Sequence, residues 1–351
     1  MQRKLPVAIL GATGTVGQRI IQLLADHPWF EIAVLTGSER TVGRPYAELV
    51  RWGLDTPIPD HVARMLVQPT EEIADVALAL SGLPTDVARA QEPRWAARVA
   101  VCSNASAFRA ASDVPLIVPE VNPDHLGMLE RQRRERGWQG CLVTNPNCAA
   151  IPIAMALRPL HDAFGLETLM ISTLQAISGA GYPGVASLDI IDNIIPNIGD
   201  GSEEAKVEAE PRKLLGVLQD GLIVDATFGA SAQVTRVPVV DGHTALLAAK
   251  FTRRPSPAAA LAALAAWQAP ELVRGLPSSP ATPLVIRTEG DRPQPRRDRD
   301  AGRGMSTVIG RVRDCPVLDL RLVVMAHNTI RGAAGGAILN AELLVASGIA
   351  G

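Results

Sequence analysis

A chain of 351 residues is long enough for two domains with substantial cores, since single domains commonly run to about 100–200 residues. Its 34 Lys and Arg against 36 Asp and Glu leave a net charge of −2, too balanced for a general nucleic-acid or anionic-membrane binder, so the expected partner is a small molecule. No stretch reaches the ~18 uninterrupted apolar residues of a membrane span, and the N-terminal run from Met1 turns to glycine at Gly11, too soon for a secretory leader.

The four cysteines, Cys102, Cys141, Cys148 and Cys315, lie far apart, without the paired spacing of a zinc or dithiol site, so no metal is expected. Free thiols in a reducing cytoplasm are the expected state.

The first element is a strand, Leu5 to Leu10, followed by a glycine-spaced turn and a helix from Val16 to Ala25. Gly11, Gly14 and Gly17 make GxxGxxG, a variant of the dinucleotide fingerprint, in which glycines let the backbone approach a pyrophosphate at a helix N-terminus. Thr13, Thr15 and Val16 of the same loop are therefore candidate cofactor contacts, as is Ser81 at the end of "ADVALALSG". A second strand, "EIAVLTGS", ends in Thr36-Gly37-Ser38-Glu39-Arg40. Ser38 and Arg40 could hold a 2′-phosphate, which favours NADP; the other reading makes Glu39 the ribose acid and Arg40 a solvated charge.

Strand-like runs recur in "ADVALALSG", "RVAVCSNAS", "VPLIVPEVN" and "GCLVTNPNC", alternating with helical segments as in a Rossmann-type doubly wound parallel sheet. We place this domain at 1–147. Longer strand-like runs, "ETLMISTLQAIS", "AQVTRVPVV" and "HTALLAAKFT", with helical segments near 185–196, 203–216 and 256–267, predict an α+β second domain over 148–326. The proline- and charge-rich "TEGDRPQPRRDRDAGRGMS" predicts an exposed loop, and residues 327–351 an apolar helix of small residues returning to the first domain.

The segment "VTNPNCAAIPIAMALRPL" raises a question of chemistry. Turn-formers Asn145-Pro146-Asn147 separate a strand-like run from a helical pattern, and Cys148 falls at the helix start. There the macrodipole and unpaired N–H groups favour a thiolate and offer donors to an oxyanion. The other three cysteines sit in or beside strand-like runs and are expected to be packed hydrophobes.

Seven segments in order, "GATGTVGQ", "SNASAFR", "NPNCAAIP", "QAISGAGYPG", "GSEEAKVEAE", "VTRVPVVDGH" and "AHNTIRGAAGGA", resemble the aspartate-β-semialdehyde dehydrogenase family, particularly its archaeal and fungal branch. The resemblance runs over nearly the whole chain. It implies a glyceraldehyde-phosphate-dehydrogenase-like second domain that dimerises, giving a homodimer or homotetramer. It also implies NADPH-dependent reduction of aspartyl 4-phosphate to the semialdehyde, with release of phosphate.

Carried onto this sequence, the resemblance makes Cys148 the nucleophile, His243 the acid/base histidine that shuttles protons with it, and Gln175 the residue that orients substrate. It makes Arg236 the fork for the α-carboxylate, a task suited to rigid bidentate donors. Glu203 and Lys206, three apart and so on one helical face, hold ammonium and phosphate. Arg109 is a phosphate arginine, with Asn104 a weaker candidate and Asn147 a further substrate contact. Gly179 and Gly181 belong to a loop closing over the nicotinamide, and Asn328 contacts its carboxamide. Ala149-Ala150 departs from an expected serine or threonine after the cysteine. His27, His61, His125 and His161 are expected at the surface. Malonyl-CoA reductase is the rival enzyme, one with no α-ammonium to bind, and a non-catalytic NADP sensor is the rival of another class.

Overall fold

The computed structural model describes residues 3–351, so Met1 and Gln2, where the leader was considered, lie outside the described residues. Six parallel strands form the first sheet: β1 (Leu5–Leu10), β2 (Phe30–Gly37), β3 (Gln68–Pro69), β4 (Leu78–Ser81), β5 (Ala100–Ser103) and β6 (Cys141–Thr144). Their order, β3-β2-β1-β4-β5-β6, is that of a doubly wound Rossmann sheet, with the switch point beside β1. The strands are short, nearly continuous apolar runs because helices cover both faces, and Val7 to Leu10 are fully buried. Cys102 and Cys141 are packed in this core.

The run "VPLIVPEVN" is not a strand. Val114, Leu116, Ile117 and Val118 are buried as a strand would bury them, but Pro115 and Pro119 supply no N–H, and pairing with β6 stops at a single bridge between Leu116 and Thr144.

The second sheet has seven strands: β7 (Leu166–Gln175), β8 (Ile195–Pro196), β11 (Gly229–Arg236), β12 (His243–Phe251), β13 (Leu284–Ile286), β14 (Thr307–Asp314) and β15 (Leu320–Ala326). The numbering passes over a separate hairpin, β9 (Val217–Gln219) with β10 (Leu222–Val224). The sheet order is β13-β14-β15-β12-β7-β11-β8, mixed in direction. Helices Ala150–Phe164, Ser202–Leu214 and Pro257–Ala266 pack on one face and build a second core around Leu169, Ile171, Leu247 and Val324.

Of the helix expected over 185–196 only Ser187–Ile190 forms, and Ile195–Pro196 instead adds an edge strand against Thr235 and Arg236. The charge-rich stretch near 288–306 is pinned, not free. Asp298 is buried and accepts from the guanidinium groups of Arg287 and Arg292 and the N–H of Gln294. The C-terminal segment enters as a π-helical turn, Ile330–Ala334, and continues as a helix, Gly335–Ala346, packed on β4 and β5. Two histidines expected at the surface are interior: His27 bonds Glu342 at 2.7 Å, and fully buried His125 contacts Asn122 and the carbonyl of Gly216. Among the described residues no helix is long and apolar enough to cross a membrane.

Candidate active site

The carboxyl ends of the first sheet and of β7 meet at a cavity of about 470 Å3, and Cys148 lies in its wall. After β6 ends at Thr144, Pro146 breaks the ladder and Asn147 opens the turn that leads into the next helix. Its Oδ1 accepts from the N–H groups of Ala149, at 2.8 Å, and Ala150, while its carbonyl accepts from Ile151. Cys148 therefore lies in the turn that leads into the helix Ala150–Phe164, one residue before the N-cap Ala149 and two before the helix start, slightly upstream of where the sequence places it. Its acidity runs opposite to the prediction: burial pushes the thiol up to about 12, the Glu203 carboxylate adds to the effect, and Arg109 and Arg236 oppose it. Removal from water outweighs the nearby positive charge, so the protonated thiol is the resting form.

Three partners fix the turn. Asn147 donates from Nδ2 to Glu203 at 2.7 Å, and from its backbone N–H to Glu210 at 2.6 Å. Gly332 packs directly on the cysteine, since a Cβ there would lie 2.7 Å from Cys148 Cβ. Asn145, Glu210 and Gly332 are absent from the sequence-derived set. Asn145 reaches across to Asn104 at 3.1 Å and to the carbonyls of Gly332 and Ala333. Only the turn-forming context hinted at Asn145, and nothing local marked the other two.

Adjacent strands present the second group of side chains. Gln175 and Arg236 are register partners at the ends of β7 and β11, and His243 opens β12. All three are nearly fully buried. The backbone of Ala176 joins two of them: its carbonyl accepts from Arg236 Nη1 at 2.8 Å, and its N–H donates to His243 Nδ1 at 3.0 Å. With Nδ1 accepting, the neutral ring carries its proton on Nε2, which is buried without a partner. Burial pushes the His243 pKa down to about 3, helped by the positive charge of Arg236. The resting histidine is thus a hydrogen-bond donor at Nε2. Gly179 covers this edge, where a Cβ would lie 2.9 Å from His243 Nε2 and 2.8 Å from Arg236 Nη1.

Glu203 links the two groups, because its Oε1 also accepts from Gln175 at 3.3 Å. Lys206, one helical turn on, lies 3.4 Å from Glu203 Oε2 and lines the cavity with a third of its side chain exposed. Arg109 lines the same cavity, donating from Nη2 to the Asn104 carbonyl at 2.6 Å and lying 3.4 Å from Glu210.

The remaining wall comes from the glycine loop and the segment facing it. Gly11 has φ +76°, and a Cβ at Gly17 would lie 2.4 Å from the Gly11 carbonyl oxygen, so helix and strand can approach only because both are glycine. At Gly14 the space is open enough for ordinary contact, 3.5 Å from the Gly11 oxygen. Gln18 holds the Thr13 carbonyl and Tyr46 the Ala12 carbonyl, so the loop is braced from behind. Thr15 and Val16 line the cavity opposite Gly179, Gly181 and Asn328, and Thr15 Oγ1 accepts from the N–H of Tyr182 at 3.1 Å. Asn328 accepts from Gly242 N–H and donates to Ser178, fixing the loop that carries Gly179.

Three cofactor candidates stand differently. Ser38 and Arg40 are exposed just beyond β2 and are not part of the cavity wall. Ser81 is fully buried, with its hydroxyl accepting from Leu83 N–H, so its side chain shapes the turn after β4 and does not face the cavity.

Comparison with known proteins bears on the fold and the family. Residues 6–129 match the family model described as semialdehyde dehydrogenase, NAD binding domain, and residues 157–331 the one described as semialdehyde dehydrogenase, dimerisation domain. An aspartate-semialdehyde dehydrogenase of Archaeoglobus fulgidus is 49% identical over 97% of both chains, and one of Cryptococcus neoformans is 44% identical over 99% of this chain and 98% of its own. A crystal structure of aspartate semialdehyde dehydrogenase with NADP from Candida albicans superposes with a TM-score of 0.89 at 38% identity, over 98% of this chain and 99% of that one. On these matches, spanning both domains, the chain belongs to the aspartate-semialdehyde dehydrogenase family.

Proposed function

We propose that this protein catalyses the NADPH-dependent reductive dephosphorylation of L-aspartyl 4-phosphate to L-aspartate 4-semialdehyde, reversibly, through a thioester on Cys148, in aspartate-family amino-acid biosynthesis. The observation that carries the reading is a single cavity where Cys148 and Asn147 meet a carboxylate, Glu203, and two cations, Arg109 and Lys206.

The Cys148 sulfur attacks the acyl carbon, the C–O bond to phosphate breaks, and the thiol proton is balanced by release of hydrogen phosphate. Oxyanion stabilisation comes from the Nε2–H of His243, because the N–H groups of Ala149, Ala150 and Ile151 are already bonded to Asn147. Arg236 takes the α-carboxylate, Glu203 the α-ammonium, and Gln175 fixes Glu203. Arg109 and Lys206 hold the phosphate.

NADP fits the residues present. The Gly11–Gly17 loop would hold its pyrophosphate, Arg40 and Ser38 its 2′-phosphate, and Gly179, Gly181 and Asn328 would border its nicotinamide. When bound, the reduced cofactor supplies the hydride that converts the thioester to the aldehyde and frees Cys148.

Malonyl-CoA would leave Glu203 without an ammonium to bind, and a sensor would have no need of a capped, cavity-facing thiol. The reading places the enzyme in the cytoplasm, where its thiols stay free, as a homodimer or a homotetramer built on the second domain.

The test is absorbance at 340 nm with aspartate semialdehyde, phosphate and NADP. Phosphate-dependent NADPH formation is expected from wild type, with a loss of at least about 10^3-fold in Cys148→Ser, the scale of removing a covalent nucleophile. NADPH oxidation with malonyl-CoA and none of the first activity would keep the thioester route and overturn the substrate.

A further inference from the structure

Glu210 is a buried carboxylate that the reaction as derived leaves unused. It lies two turns beyond Glu203 on the helix Ser202–Leu214 and is 7% exposed. One oxygen accepts the N–H of Asn147 at 2.6 Å, immediately before the nucleophile, and the other lies 3.4 Å from Arg109 Nη1. A single carboxylate therefore spans the turn that carries the sulfur and the guanidinium assigned to phosphate.

The rest of Arg109 is anchored independently. Its Nη2 donates to the Asn104 carbonyl, and its own carbonyl, with those of Ala111 and Val114, accepts from Lys213 Nζ at 2.8 to 2.9 Å. Arg109 thus keeps its place without Glu210, but not its charge balance. A neutral amide could satisfy the Asn147 N–H equally well, whereas only an anion offsets Arg109, and a buried charge is costly to retain. In the reductive direction phosphate is a product and must leave a pocket that also contains Lys206. An arginine left at full strength there would bind it too well.

We propose that Glu210 is a positioning residue for the phosphate half of the reaction: it holds the Cys148 turn beside Arg109 and offsets the charge of that guanidinium, so that phosphate is aligned with the sulfur yet released after acyl transfer. The inference rests on the function proposed above.

The test is Glu210→Gln in the full-length enzyme, whose amide oxygen can still accept the Asn147 N–H. In the phosphorylating direction KM for phosphate should fall by about fivefold, the scale of a partly buried charge pair, with KM for semialdehyde unchanged. In the reductive direction kcat should fall as phosphate release slows. A purely structural role would lower kcat without tightening phosphate.

Glu210→Asp keeps the charge and should hold KM for phosphate near wild type, which decides the matter should the glutamine variant fold poorly. In an Arg109→Ala background the effect of Glu210→Gln on phosphate should vanish. Protection of Cys148 from iodoacetamide by inorganic phosphate reads the same affinity without turnover. Tighter protection in an enzyme inactive on aspartate semialdehyde would sink the proposed substrate and keep this role for Glu210. Unchanged or weaker protection in Glu210→Gln, or equal tightening without Arg109, would overturn it.

Discussion

Arg40 stands exposed just past the end of β2, one residue after Glu39 and two after Ser38, at the end of a strand where dinucleotide-binding sheets meet the adenosine ribose. A 2′-phosphate is dianionic and suits an arginine fork, whereas a free ribose hydroxyl gives that fork little to bind. Replacing Arg40 with Ala should weaken NADPH by about tenfold, the worth of one charge-assisted bidentate contact, and NADH by less than about twofold. Equal loss for both cofactors in fluorescence titration would move the discrimination to Glu39. At this scale the candidate groups were legible, Cys148 from the turn-formers before it and His243 from the family resemblance. Their protonation states were not. Helix position argues for an acidic thiol, but burial pushes Cys148 up to about 12, and the proton on His243 is set by a hydrogen bond from Ala176, a residue far away in sequence. Both depend on what the folded chain packs around a group, which spacing does not encode.

The nucleophile turn shows the same division one level up. Its asparagine, its proline and the apolar helix beyond it are all local, and the sequence places the helix start within two residues of the observed Ala150. What presses on the turn is the π-helical segment Ile330–Ala334, which brings Gly332 against Cys148. A methyl group there would have to lie 2.7 Å from Cys148 Cβ, closer than packed carbons tolerate, and the next nearest atoms, Cys148 Cα at 3.1 Å and its carbonyl oxygen at 3.3 Å, are backbone, so the turn itself must shift. Gly332→Ala should therefore destabilise the protein by about 1–3 kcal/mol, the range for overpacking. It should also lower kcat more than it raises the KM for NADP, since the displaced atom is the nucleophile's own. Thermal melting with steady-state kinetics checks both, and a variant with wild-type kcat would show that the contact relaxes harmlessly. Elements misread from sequence failed for related reasons. The run 114–122 has a strand's burial but prolines where the ladder needs donors, and in 185–196 the helix stops at Ile190 while Ile195–Pro196 pairs with the edge of β11.

On the scale of the whole molecule, the seven-stranded sheet has one face under helices and one without, and the pattern along its strands records this. In β7 the exposed positions are Met170, Ser172 and Leu174, alternating with buried Leu169, Ile171 and Thr173; in β12 exposed Leu246 lies opposite Ser172 of β7. Met170, Leu174 and Leu246 are each more than a third exposed, an apolar patch on a flat sheet that a lone protein would cover or charge. The dimerisation-domain match over 157–331 places pairing of two copies in this half of the chain, and this face is where we expect them to meet. The same strands end in Gln175, Arg236 and His243, so a contact that stiffens their middles also holds the ends that bear the groups proposed above to act on substrate. Leu246→Arg adds a charge to the centre of that face while leaving the buried side of β12 untouched. It should shift the protein toward monomer in sedimentation velocity, and activity should fall with dilution at concentrations where wild type keeps its specific activity. A variant that sediments as wild type would place the interface elsewhere. One that is monomeric and fully active would show that β7, β11 and β12 hold the site without a partner, leaving the pairing with no part in catalysis.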